Sequence, residues 1–433
     1  MQYKKKLDMT IYRMLNIQKI FTLFISILLI TGNITAKESQ PIKSKSDSIV
    51  IAYLNDCGID ISSNNQVEIL KSGHDKFIDL FEEIRKAKHH IHLEYFNFRN
   101  DSIANSLFEI LKEKVKEGVE VRAMYDAFGN TSNNRPLKNR HIRALKESGI
   151  EIVEFDPLSF PWINHVFHRD HRKIVIIDGK VGYTGGMNIA DYYINGLPKV
   201  GDWRDIHIRI NGEAVSYLQD IFLDMWNKSN KQQITGEVYY PYRNNIIEKI
   251  DSVDIAIVDR KPRHTPEIMR RAYAKAIESA EDKVQIINPY FTPTRIIKKA
   301  IKKAIDNGVK VEIMIPGKSD IKFTPDAVLY TANKLRKKGA DIYIFNGGFH
   351  HSKIMMVDSL FCTVGSTNLN SRSLRYDYEV NAFIFDKETT TELIDIFEED
   401  KTQSDLLTRD MYMKRGLFKR FVGWFAHLFT PFL

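Results

Sequence analysis

Two segments of the chain carry the same reactive side chains in the same order. The first runs from His171-Arg172-Lys173 through Asp178 to Gly185-Gly186-Met187-Asn188. The second runs from His351-Ser352-Lys353 through Asp358 to Gly365-Ser366-Thr367-Asn368. Residues two apart on an extended chain share a face, so each His points the same way as its Lys. The apolar run that follows buries a strand, and a Gly-marked turn returns the Asn toward the His. Each copy gathers an imidazole, an ammonium and an amide, a set suited to one anionic phosphate. Singly these residues have ordinary readings, as a core His, a solvated Lys and a turn-forming Asn; repetition of the whole set is what sets them apart. Two half-sites imply one shared site across a pseudo-two-fold axis.

The chemistry open to such a site is phosphoryl transfer through a covalent intermediate. One His attacks phosphorus while the other protonates the leaving alkoxide, and a hydroxyl then takes the group from the phosphohistidine with the second His as base. An ordinary imidazole pKa near ~6.5 lets one ring be neutral and the other charged. The symmetry leaves open which His attacks. Lys173, Lys353, Asn188 and Asn368 would hold the non-bridging oxygens and stabilise the pentacoordinate transition state. Two lysines aimed into the site disfavour a metal cation, and no cofactor is called for.

Each His needs an acceptor that fixes its tautomer, and a carboxylate follows each motif: Asp205 after the first, Glu379 after the second. Either could orient its ring, or form an ordinary surface ion pair. Asp178 and Asp358 close the motifs and are counted with the catalytic set, although anchoring their turns suits them better than carrying protons.

The elements that must position these residues repeat as well. A helical stretch leads into Gly118-Val119-Glu120-Val121 in the first half and Gly308-Val309-Lys310-Val311 in the second. Leu145-Lys146-Glu147-Ser148-Gly149 is likewise matched by Leu335-Arg336-Lys337-Lys338-Gly339. Glycine after a helix and before a β-rich run is a C-cap signature. The pattern predicts an α/β fold of two pseudo-symmetric repeats, each a mixed sheet flanked by helices, with the active site at their interface. The first half carries ten extra residues between Phe155 and His171, among them Leu158, Phe160, Pro161, Trp162, Ile163, Val166 and Phe167. That stretch is either a buried loop or an apolar wall for acyl chains at the mouth of the site.

The chain's 433 residues carry a formal net charge of +8, which is concentrated at its ends. Lys4, Lys5, Lys6, Arg13 and Lys19 face only Asp8 before the apolar run Ile20–Ile30, the order of an export signal or a thin membrane anchor over residues 1–36. If uncut, the segment places the body on the exported face of the cell membrane. Over residues 411–433, Leu417, Phe418, Phe421, Trp424, Phe425, Leu428 and Phe429 recur at helical spacing among Lys414, Arg415, Lys419 and Arg420. This tail suits a bilayer interface, with a helix docked on the core as the alternative. The body between is neutral, which argues against a nucleic-acid partner. Cys57 and Cys362 are too few for a disulfide scaffold or a Cys-rich metal site.

The paired motifs resemble the phospholipase D superfamily, and most of all the bacterial cardiolipin synthases, from about residue 45 to the C-terminus. Further points of resemblance are His168-Arg169-Asp170, Tyr183-Thr184, Trp203-Arg204-Asp205, Ile315-Pro316-Gly317-Lys318, Gly348-Phe349-His350 and Leu369-Asn370-Ser371-Arg372. The resemblance implies two phospholipase D-type repeats, over residues 45–240 and 250–400. It also implies transfer of a phosphatidyl group between two phosphatidylglycerol molecules, yielding cardiolipin and glycerol. Anionic phospholipid and the membrane are then the partners. Water as acceptor would instead make a hydrolytic phospholipase D that releases phosphatidic acid, and a nuclease of the superfamily would use the same histidines on other phosphodiesters.

Overall fold

In the computed structural model of the chain, residues 45–158, 167–244, 250–321 and 324–430 are described. The expected export or anchor segment 1–36 and residues 159–166 of the insertion lie outside them. Among the described residues, no helix is long and apolar enough to cross a membrane.

The strand after each His is a continuous apolar run, Lys173–Ile177 and Ile354–Val357, buried along its length. Such strands need cover on both faces. Alternate side chains supply two cores. Ile174 and Ile176 share one with Ile354, Met356, Val364 and Ala382 of the other half. Val175 and Ile177 instead face Leu80, Leu107 and Leu111 of the outer helices. The two sheets therefore pack on each other through a common core, with helices outside.

Within the first sheet the spatial order is Asn65–Leu70, His207–Gly212, Val181–Gly185, Lys173–Ile177, His90–Tyr95, Glu120–Asp126 and Glu151–Phe155. The second repeats it as Asp254–Arg260, Glu379–Phe385, Phe361–Gly365, Ile354–Val357, Lys283–Ile287, Lys310–Pro316 and Asp341–Phe345, with Ser404–Leu406 added at the far edge. In both, the hairpin after the His is antiparallel and the strands reached through helices are parallel. The mixed sheets expected from the repeat are present, in matching order.

Asp178 and Asp358 sit at the far ends of the motif strands, away from the histidines. The Asp178 carboxylate accepts the backbone N–H groups of Lys88, His89 and His90, and Asp358 accepts those of Glu281, Asp282 and Lys283. Each pins its turn to the start of a neighbouring strand. Their place in the catalytic set is corrected on this geometry: they belong to the scaffold.

Helix Gly416–Leu428 packs along helix Thr324–Arg336. It is docked by one face and bare on the other, where Leu417 and Phe418 are 80% and 77% exposed.

Candidate active site

Both histidines stand just before their strands, where the chain also pairs with the opposite half. Asp170 bridges Tyr378 in parallel, and the His171 N–H donates to the Tyr378 carbonyl at 3.0 Å. Likewise Phe349–His350 pairs with Trp203–Arg204, and the His351 N–H donates to the Arg204 carbonyl at 2.7 Å. The next residue after each of these partners is an acid. His171 Nδ1 consequently lies 3.0 Å from Glu379 Oε1, and His351 Nδ1 lies 2.6 Å from Asp205 Oδ2. The two acids do meet the rings, but crosswise: each contacts the histidine of the other half. Pairing each acid with its own motif, as the order along the chain suggests, is corrected by these two cross-half bridges.

His171, His351, Asn188 and Asn368 together line one 490 Å³ cavity. Lys173 and Lys353 are buried beside them, and each ammonium donates to the backbone carbonyl of its own His. Lys353 Nζ also stands 2.9 and 3.1 Å from the two ring nitrogens of His351. The side-chain oxygens of Asn188 and Asn368 are buried without a hydrogen-bond partner. A buried amide left in that state is costly unless a ligand completes it.

Burial compresses every charge here. Both rings are held well below the ordinary 6.5, first by desolvation and then by the neighbouring lysines. Desolvation also lowers Lys173 to about 7 and Lys353 to about 8, and raises Glu379 to about 7 and Asp205 to about 6. Burial thus favours the neutral form of both rings, against the expectation of one neutral and one charged ring. A bound phosphodiester anion adds the negative charge that favours an imidazolium.

The two half-sites differ in how they seat the acids. A Cβ on Gly186 would come within 2.2 Å of Asp205 Oδ1, so that position must be bare. Its counterpart Ser366 instead donates its hydroxyl to Glu379. Sequence reasoning missed several supports. His207 Nδ1 faces the Met187 N–H at 3.4 Å, and Asn381 Oδ1 accepts the Thr367 N–H at 3.2 Å. Buried Lys76 holds the carbonyls of Met187 and Asn188, and Asn288 accepts the Leu369 N–H. His207 and Asn381 each lie two residues beyond an orienting acid, a spacing that could have revealed them. The apolar wall of the cavity comes from Phe96, Phe128, Tyr192, Trp203 and Tyr290. Of the insertion, Phe155, Leu158 and Phe167 are not among its lining residues; Phe167 rests on Tyr376 instead.

Two histidine–carboxylate pairs facing one cavity across two like-folded halves define a two-repeat, double-histidine fold. Solved structures share the overall fold. A phosphatidylserine synthase from Haemophilus influenzae superposes over 90% of this chain and 100% of its own, with a TM-score of 0.67 at 16% identity. A polyphosphate kinase from Porphyromonas gingivalis follows over 80% of this chain and 49% of its own, with a TM-score of 0.54 at 12% identity. The family model "Cardiolipin synthase, PLD-like domain" matches residues 80–226 and 273–401. Among curated relatives, a cardiolipin synthase of Oceanobacillus iheyensis is 37% identical over 91% of this chain and 81% of its own. One of Listeria monocytogenes is 37% identical over 90% and 80%, and a probable cardiolipin synthase of Bacillus subtilis is 36% identical over 89% and 75%. The chain belongs to the PLD-like cardiolipin synthase family.

Proposed function

We propose that the chain transfers a phosphatidyl group from one phosphatidylglycerol to another, forming cardiolipin and glycerol. The observation that carries this is the crossed pair of buried histidine–carboxylate bridges, which engages both rings through Nδ1 and sets the two histidines on one cavity beside two lysines. Nε2 of one ring attacks phosphorus, and the bond to the glycerol oxygen breaks as the other ring gives that oxygen its proton. The terminal hydroxyl of a second phosphatidylglycerol then attacks the phosphohistidine. Its proton passes to the second ring, the N–P bond breaks and both rings return to their starting state. Each carboxylate stabilises the charge that appears on its imidazole, and Lys173, Lys353 and the two Asn side chains take up the charge on the non-bridging oxygens.

The same reading places the enzyme at the cell membrane, with the amphipathic tail over 411–433 in the interface. It also retains residues 1–36 as leader or anchor and the two repeats as its functional halves. Purified protein incubated with phosphatidylglycerol should yield cardiolipin and glycerol in equal amounts, and His351→Ala should yield neither. An acid-labile, base-stable phosphoenzyme should be trapped on short incubation. Phosphatidic acid as the sole product would replace the reading with a hydrolytic one, and no lipid turnover would overturn it.

A further inference from the structure

A second concave site lies away from the histidines, where helix Gly416–Leu428 crosses helix Thr324–Arg336. The crossing is built: a Cβ on Gly423 would stand 2.8 Å from the Asp326 carbonyl, Arg415 pairs with Asp326, and His427 Nδ1 lies 3.1 Å from Thr331 Oγ1. Beside it a 720 Å³ groove between these two helices and helix Arg295–Asp306 is ringed by Lys302, which pairs with Asp306, and by five more cations, Lys298, Lys334, Lys337, Lys338 and Arg420. Among the described residues, none of these five cations has a carboxylate within 4.0 Å. Lys334 lies over the Tyr330 ring and Arg420 over Tyr412, at 5.3 and 5.9 Å. The crowding has a cost, since burial and then Lys334 lower Lys298, and burial with Lys298 and Lys334 brings His427 down to about 4. Unpaired like charges held together by a packed helix crossing are stabilised by an anion seated among them.

The same helix turns its apolar residues outward next to the cations. Leu417, Phe421 and Trp424 line the groove, while Phe418 and Phe425 stand exposed beyond it. A soluble anion would use the lysines and leave the rings in water; an amphiphile uses both. We propose that this groove is a second, non-catalytic binding site for the headgroup of an anionic phospholipid, whose acyl chains lie along the aromatic side of helix Gly416–Leu428. Helix Thr324–Arg336 runs from this groove to the catalytic cavity, which Thr324 and Ala327 line at its other end. A lipid seated in the groove thus fixes how the cavity mouth meets the membrane. The inference is independent of the transfer reaction, and its test avoids turnover.

Full-length His351→Ala protein is reconstituted with phosphatidylcholine bilayers containing brominated phosphatidylglycerol or brominated phosphatidylcholine. Trp424 emission is taken as the difference from the Trp424→Phe counterpart. Brominated phosphatidylglycerol should quench Trp424 at a far lower mole fraction than brominated phosphatidylcholine. Removing three cations by Lys298→Gln, Lys334→Gln and Arg420→Gln should shrink that preference by up to about a hundredfold. The charge-matched Lys116→Gln, Lys146→Gln, Lys180→Gln protein should keep it. Equal quenching by the two lipids, or an equal loss in the control, would overturn the proposal. So would inorganic phosphate erasing the preference as efficiently as phosphatidylglycerol creates it, which would make the groove a site for a soluble anion.

Discussion

Glu379→Gln is the substitution whose consequences the geometry specifies most fully. The carboxylate is fully buried, accepts from His171 Nδ1 at 3.0 Å and receives the Ser366 hydroxyl. When ionised, its two oxygens only accept, so the ring beside it then carries its proton on Nδ1 and leaves Nε2 unprotonated. Glutamine keeps the shape but offers an NH₂ to Nδ1, which selects the opposite tautomer. Loss of an orienting carboxylate in a comparable dyad costs about 10⁴-fold in turnover, or about 5 kcal/mol of barrier. Stability should move the other way. Burial raises this acid from 4.5 to about 7, so the stability it contributes is complete below pH 4.5 and is lost as pH rises through 7. Above pH 7 the ionised group costs about 3 kcal/mol, a net figure in which its hydrogen bonds are already included. The variant should therefore melt at an equal or higher temperature at pH 8 while forming cardiolipin thousands of times more slowly. Nitrogen NMR of the imidazoles should show the tautomer change at His171, not His351. A near-normal rate, a rate lost together with stability, or a change confined to His351 would refute the reasoning.

Other expectations can be checked with the same assays. The pH profile of kcat/KM should be a narrow bell centred near 7. Asp205 and Glu379 protonate below about 6 and 7 and release the rings, and Lys173 and Lys353 lose charge above about 7 and 8 and release the phosphate; a flat profile from pH 5 to 9 would contradict these assignments. Gly186→Ala should fold and yet lose about a hundredfold in rate, because the new methyl group displaces Asp205 from His351; normal kinetics would show that Asp205 does not need its present place. Asp178→Ala should cost about 2–4 kcal/mol of stability by stranding three N–H groups and leave the rate per folded molecule unchanged, as measured by denaturant titration and initial rates.

Much of this arrangement is legible in the sequence. Repetition of His, Lys and Asn at a fixed interval identified the site because no local propensity requires those residue types together. The α/β repeat was legible because glycine caps and apolar runs are local signals. The crossed acids were not. Asp205 follows His171 along the chain but reaches His351 through the pairing of Trp203–Arg204 with Phe349–His350, a long-range contact that no local pattern encodes. The titration of the rings was illegible for a related reason: an imidazole in water titrates near ~6.5, whereas burial beside two lysines, which lowers both rings, belongs to the assembled site. Asp178 and Asp358 travel with the motif in sequence because both ends of one strand are fixed together, one for chemistry and one for the turn.

The exchange of carboxylates also has a temporal side. The first half leaves the ribosome before the second, and domains tend to consolidate in that order. At that stage His171 and Lys173 already exist, yet the acid that sets the ring's proton lies more than two hundred residues downstream. A chain cut short during synthesis, or with its second half unfolded, therefore carries His171 without its acid and lacks the second histidine and lysine of the site. Completion of the fold is itself the step that arms the enzyme.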